Sequence, residues 1–280
     1  LVSILVSKRV RDGKGQIHKV IFGKKFLIWT LEPRFDTNFS SQIKKFFGLA
    51  KCHIMNVYTG DVFVSNTTFF TGMFGARISL LSKDFTLKSK KTIALMSYYK
   101  GVETEPLIRD GKNIDLIALR SKICLVGNKI NALDVYGKGW PDNISKEDSR
   151  DGAYFYRKKA LMGNYHFNLC FENTAMYNYM TEKIWDSILF NCLPIYYGEN
   201  TNAYELFPEN SFIDYSEFDS AEQLFEYISN MSDAEYIERM NKCIEVYNML
   251  CDKRESLIKN GRGKVLENIV LKVKTIVSES

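Results

Sequence analysis

From residue 165 to residue 198 the chain reads "YHFNLCFENTAMYNYMTEKIWDSILFNCLPIYYG", and the spacing of its apolar residues changes twice. An aromatic and aliphatic run predicts a strand over 165–171. Ile184, Trp185, Ile188 and Leu189 then fall on one face of a helix over 181–191, and a second strand follows over 193–197. Strands that alternate with helices in this way build a parallel sheet, which commits the chain to an α/β fold. The alternation extends outward from this segment. It gives a strand over Thr92 to Met96, a helix spaced on Ile117, Leu119, Ile123 and Val126, and a short strand with a glycine turn in "NALDVYGKGW". Further helices are expected near 201–206, 220–230 and 233–250. Ligands of such sheets sit at the carboxyl ends of the strands, where the quoted segment lies.

Ahead of this region, "FLIWTLEPRFDT" predicts a buried strand from Phe26 to Thr30. Pro33 cannot donate to a ladder and restricts the residue before it, so the strand should stop near Glu32 and leave that carboxylate at its end. "HIMNVYTGDVFVSNTTFF" reads as further short strands and turns, and the polar, basic stretch 82–91 precedes a new apolar strand. That shift predicts a domain boundary, with domains 1–90 and 91–280, a division that suits 280 residues.

The chain is 45% hydrophobic and 25% charged, the balance of a globular protein with a buried core. Its net charge of +5 is too mild and scattered to call for nucleic acid as a partner, while a phosphate-bearing small molecule is enough. The six cysteines contain no CxxC, and His18, His53 and His166 stand apart, which predicts reduced thiols and no bound metal. No apolar stretch approaches the roughly 20 residues of a membrane span.

Thr181 is placed as an N-cap, with Glu182 and Lys183 in the first turn of the helix that follows. Free N–H groups at a helix start and an adjacent lysine attract a diphosphate, and a glutamate turned aside can accept hydrogen bonds from the cis-diol of a ribose. The plainer alternative is that Glu182 complements the helix dipole and Lys183 is solvated. No GxGxxG follows a predicted strand, so a dinucleotide site of that type is disfavoured.

The segment 165–198 resembles the signature region of the α-1,3/1,4-fucosyltransferases, glycosyltransferase family 10, in its bacterial form: "NLCFENT", "YMTEK" and "PIYYG" follow the family's pattern in order. "FLIWTLEPRFDT" resembles the family's strand ending in a catalytic glutamate, and "LRSKICLVGNKINALDVYGKGW" the helix that carries a pyrophosphate-binding arginine. The resemblance implies a GT-B fold, with two Rossmann-like domains facing each other across a cleft. The N-terminal one is short or truncated, since thirty-one residues precede Glu32. It implies that domain 91–280 holds GDP-fucose, that domain 1–90 faces the acceptor, and that fucose moves with inversion to O3 of GlcNAc in an N-acetyllactosamine-like glycan. Glu32 inherits the role of general base, and Arg120 that of the donor-site arginine. Lys183 would hold the diphosphate and Glu182 the ribose. Asn168, Glu172 and Asn173 are expected at a strand end, to hold base, fucose or loop, with Glu172 equally suited to pinning that loop. Ser97 would touch the nucleotide, and Tyr179, with Tyr177, would wall the donor pocket or simply pack.

No Asp-x-Asp ends a donor-domain strand, so the expectation is that no cofactor is required and that Mn²⁺ acts at most as a stimulant. The implied partners are GDP-fucose and an oligosaccharide or glycolipid acceptor. "GKVLENIVLKVKTIVSES" at the C-terminus is amphipathic and reads either as a last helix packed on the core or as a peripheral contact with an anionic membrane, at the inner face of a cytoplasmic setting. Two other functions stay open: a GT-B transferase for another nucleotide sugar, and a non-catalytic protein that binds a nucleotide sugar or a glycan.

Overall fold

The computed structural model describes residues 2–6, 25–45, 50–70, 75–99, 106–141, 144–148 and 154–279; His18 lies outside them. The chain divides into two compact units, one of residues 1–68 and 255–280, the other of residues 69–254.

The first unit carries β1 (Val2–Val6), β2 (Lys25–Trp29), β3 (Gln42–Lys45) and β4 (Ala50–Met55), in the order β1-β2-β4-β3. β1, β2 and β4 are parallel, and β3 closes the edge antiparallel to β4. Parallel strands are covered on both faces, which explains the unbroken apolar run Phe26-Leu27-Ile28, all fully buried. β2 ends at Trp29, and Pro33 opens a single 3₁₀ turn, Pro33–Phe35, its ring supplying the φ such a turn needs. The backbone of Glu32 is held on both sides: its N–H donates to Thr30 Oγ1 at 3.2 Å, and its carbonyl accepts from Asn56 Nδ2 at 3.0 Å. Its side chain stands exposed beyond β2.

The second unit contains β5 (Thr92–Leu95), the hairpin β6 (Ile108–Arg109) and β7 (Lys112–Asn113), α1 (Ile117–Lys129), β8 (Leu133–Tyr136), α2 (Tyr154–Met162), β9 (Phe167–Leu169), α3 (Glu182–Leu189), β10 (Leu193–Tyr196), β11 (Ile213–Asp214), α4 (Ala221–Asn230) and α5 (Asp233–Asp252). Its main sheet runs β11-β10-β9-β5-β8, every pair parallel. From β5 the chain moves outward to β8, then crosses back and continues through β9, β10 and β11 on the other side. The reversal lies between β5 and β9, and a crevice at the carboxyl ends of those two strands is where a doubly wound sheet takes its ligand.

The last helix, α6 (Arg254–Ser278), belongs to the first unit, so sequence order alone misplaces it in the expected 91–280 domain. Lys25 Nζ donates to Ile276 O at 2.6 Å, Asn268 Nδ2 to Asp61 O at 3.1 Å, and Lys272 pairs with Asp61 at 3.3 Å. These ties and the buried Ile276 make it a packed helix, while Leu266, Val270 and Val277 stay exposed. Residues 69–90, expected in the first domain, belong to the second unit, where Asn241 and Asn248 of α5 bond the backbone of Leu81 and Ile78. Among the described residues no helix is long and apolar enough to cross a membrane.

Candidate functional site

The β5/β9 reversal gathers charges that are taken out of water. α1 begins where the Asp115 carboxylate accepts the N–H groups of Ile117 and Ala118, at 3.3 and 3.2 Å. A bridge between Asp115 and Thr174 and bonds from Leu116 N to Asn173 O and Ala175 N to Ile114 O tie the start of α1 to the loop after β9. The buried face of the helix consists of Ile117, Arg120, Ser121, Ile123, Cys124 and Gly127, so Arg120 stands within the inward stripe, 6% exposed. Its Nη1 donates to Phe171 O at 3.2 Å, and its Nε meets no partner among the described residues. Burial lowers the pKa of this guanidinium and Glu172 opposes the shift. Arginine stays charged in proteins, so this is a buried cation with a donor to spare.

Glu172 is fully buried two residues past Cys170 and acts as an anchor. Its Oε1 accepts from Thr181 N at 2.7 Å, both oxygens accept from Thr181 Oγ1 at 2.9 Å, and Oε2 accepts from Lys183 Nζ at 2.8 Å. The Lys183 ammonium also donates to Thr181 Oγ1 at 2.7 Å. Burial alone would lower the Lys183 pKa, but Glu172 and Glu182 outweigh it and hold it above the usual lysine value. Thr181 precedes α3 with extended backbone, as an N-cap should, yet its hydroxyl makes no capping bond because Glu172 takes it. The start of α3 thus lacks a cap from Thr181, while the Glu182 carboxylate interacts with its own N–H beside Lys183.

Residues 118–250 match the family model described as "Glycosyltransferase family 10 (fucosyltransferase) C-term". This segment is similar to the C-terminal domain of that family. Similar proteins include the alpha-(1,4)-fucosyltransferase of Arabidopsis thaliana, 30% identical over 38% of this chain and 26% of that protein. The alpha-(1,3)-fucosyltransferase FucT of Helicobacter pylori is 39% identical over 25% of this chain and 15% of its own length. A protein of Bos taurus named GDP-fucose protein O-fucosyltransferase 3 is 35% identical over 34% of this chain and 20% of its own length. The chain thus spans about a quarter or less of these relatives. A crystal structure of an α1,3-fucosyltransferase with GDP-fucose aligns over 86% of this chain and 81% of that one, with a TM-score of 0.44 and 15% identity.

The predicted residues divide. Arg120, Glu172, Lys183 and Tyr179 come together: Tyr179 is 4% exposed, and its phenol, like that of Tyr99, lies within electrostatic reach of Arg120. Ser97 sits half-buried past β5, and Asn173 half-buried past Glu172 with its Oδ1 unpartnered among the described residues. Glu182 opens α3; burial would raise its pKa, but Lys183, its own N–H, Lys158 and the Thr181 hydroxyl together lower it. Asn168 departs from its expected place, because β9 ends at Leu169 and the residue lies mid-strand, where its Nδ2 donates to Ser187 Oγ of α3 at 2.7 Å. Tyr177 is 63% exposed and its hydroxyl donates to Glu205. Glu32 belongs to the first unit and the others to the second.

Sequence reasoning left out Thr181 as the hub of the Glu172 network and missed α2 with its Lys158, which pairs in the interior with Asp186 of α3. "YFYRKKALM" shows no clean apolar stripe, and only the later acid at Asp186 hinted at a partner for a buried lysine. All six cysteines are free, and burial raises the thiol pKa of Cys124 and Cys192, in keeping with small core residues and against nucleophiles. Among the described residues no three His, Cys, Asp or Glu side chains gather as a metal set requires.

Proposed function

We propose that this chain belongs to an inverting fucosyltransferase that moves fucose from GDP-fucose to O3 of a GlcNAc in an N-acetyllactosamine-like glycan. The observation that carries the reading is Arg120, a buried cation at the switch point of the sheet, within the segment that matches the family 10 model, with an unmet N–H. A diphosphate there completes the guanidinium's bonding and lies at the start of α3, where Thr181 gives no cap. Lys183 serves as the second cation, oriented by Glu172, and Glu182 takes the ribose hydroxyls. Tyr179, Asn173 and Ser97 border the donor.

In the reaction, the Glu32 carboxylate accepts the proton of the acceptor hydroxyl as that oxygen attacks the anomeric carbon of fucose. The bond from that carbon to the diphosphate breaks on the opposite face, and GDP leaves with the negative charge that Arg120, Lys183 and the helix start stabilise. We propose that this needs no metal, and that the activity resides in the reducing cytoplasm, a setting its free thiols suit.

The test is a mass-spectrometric transfer assay with GDP-fucose against N-acetyllactosamine and, because the mammalian relatives are named as protein O-fucosyltransferases, Ser/Thr peptides. Transfer to the glycan that persists in EDTA supports the reading. Glu32→Gln should bind GDP-fucose while transfer collapses, and unchanged turnover would remove Glu32 as the base. Turnover of UDP- or ADP-sugars in place of GDP-fucose would assign the site to another donor, and donor binding without turnover would make the chain a binding protein.

A further inference from the structure

Resting on the reading of Glu182 as the ribose contact, we propose that Lys158 of α2 is a positioning residue, which holds the Glu182 carboxylate as an anion in place for the two hydroxyls of the nucleotide's ribose. Lys158 occupies a position that packing would give to an aliphatic side chain. It shares the inward stripe of α2 with Leu161 and Met162, at i, i+3 and i+4, and all three are buried. Its ammonium donates to the equally buried Asp186 carboxylate of α3. Residues four apart on a helix are neighbours on one face, so Glu182, in the first turn of α3, stands beside Asp186 on the side that meets α2. One buried cation therefore faces two carboxylates, and of these Glu182 is only half-buried and can reach a ligand.

α2 gives this cation a fixed base. Leu161 and Met162 join Ile93 and Tyr165 in one apolar cluster, and the Cys192 thiol donates to Met162 O at 3.4 Å. The Phe155 ring packs against Phe190, just past α3, with centroids 5.7 Å apart. Folding alone gives no reason for two charges here, since an apolar pair of similar volume serves stability as well as a buried ion pair or better.

Four groups act on Glu182 from its surroundings: Lys183, Lys158, the Thr181 hydroxyl and Asp186. Lys183 is turned to Glu172, at 2.8 Å, while Lys158 acts from the α2 side. Burial would raise the Glu182 pKa, and Lys158 is among the groups that outweigh it; burial does raise that of Asp186 despite the same lysine, and Glu182 adds to that rise. With Lys158 gone, Glu182 would face burial and the like charge of Asp186 from within. It would then swing outward or take up a proton, and either change ends its use as a double acceptor for a cis-diol.

The experiment is isothermal titration of the full chain with GDP, 2′,3′-dideoxy-GDP and inorganic pyrophosphate. The wild type should prefer GDP to its dideoxy form by about 10- to 150-fold, the worth of a hydrogen bond to a charged group. Lys158→Met should narrow that preference by more than about threefold and leave pyrophosphate affinity unchanged. Asp186→Asn breaks the same pair but leaves the cation to Glu182, so it should keep the preference; a role in folding alone would move both variants alike. In a Glu182→Gln background, Lys158→Met should narrow the preference no further. Should Lys158→Met fail to fold, Lys158→Met/Asp186→Leu replaces the pair by apolar groups and carries the same prediction. The proposal is overturned, with the Glu182 reading intact, by a preference that stays within about threefold of the wild type without Lys158, by an equal loss in Asp186→Asn, by a further narrowing in the Glu182→Gln background, or by pyrophosphate weakened in step with GDP. A wild-type chain that binds both nucleotides alike, or neither, removes the ribose reading on which the proposal rests.

Discussion

Glu172→Gln removes one charge and leaves the shape nearly intact, so its cost reports on the buried network alone. The carboxylate receives Thr181 N at 2.7 Å, Thr181 Oγ1 at 2.9 Å and Lys183 Nζ at 2.8 Å. Glutamine keeps one acceptor for the amide of Thr181, but its NH₂ then faces an ammonium, donor against donor. Breaking a fully buried ion pair by removing one partner costs about 3–5 kcal/mol. The Lys183 side chain is 31% exposed, so water recovers part of its solvation and the loss falls to roughly 2–3 kcal/mol. For a unit of this size that shifts the melting temperature by roughly 4–12 °C. Urea unfolding followed by tryptophan fluorescence measures it, because Trp185 is buried in α3 beside the network. In Lys183→Met the same substitution should cost much less, the charge it answered being gone. An unchanged midpoint in Glu172→Gln, or a double variant that loses the sum of the two single losses, would refute the claim that Glu172 acts as the counter-ion pinning Lys183 and the loop.

Three further outcomes are expected. Arg120→Met should weaken GDP by about 10- to 150-fold in calorimetry, the worth of one charge-assisted contact, with little change in melting temperature because a buried cation holding one protein hydrogen bond adds little to folding. Asp134 is buried in β8; burial would raise its pKa, but Tyr165, Lys146 and Lys91 outweigh it and hold it below the usual carboxylate value. Its contribution is therefore present above the unfolded pKa of about 3.9 and lost as pH falls through the lower folded value, so Asp134→Asn should lose stability at pH 7 and show a shallower decline in acid; an equal loss at pH 7 and pH 2 contradicts this. Gly137→Ala places a methyl 2.1 Å from Met96 O and should cost at least roughly 1–3 kcal/mol in urea unfolding, with β5 and β8 forced apart.

The strand and helix alternation from Thr92 onward is legible in the sequence because parallel strands and amphipathic helices carry distinct periods, and α1, β8, α3, β10, α4 and α5 all fall where that pattern puts them. β9 is shorter than its apolar run, since after Leu169 the chain leaves the sheet to bring Glu172 under the Thr181 loop. "LVSILV" reads only as too short for a membrane span, while its parallel pairing with β2 is a long-range fact no local pattern holds. The least legible features are the buried charges. Hydrophobic spacing assumes that charge points outward, so it sets the face of α1 on Leu119 and Val126 and overlooks that Arg120 lies on the inner stripe. Lys158 and Asp186 hide for the same reason, each tolerable inside only because the other is there. The unit to which α6 belongs is likewise decided by contacts with β2 and Asp61, far away in sequence.

The most direct measurement is a crystal structure of the full chain soaked with GDP. The account predicts phosphate oxygens at roughly 2.7–3.2 Å from Arg120 Nε and from the first N–H groups of α3. GDP bound elsewhere on the second unit, with Arg120 Nε still lacking a partner, would contradict it.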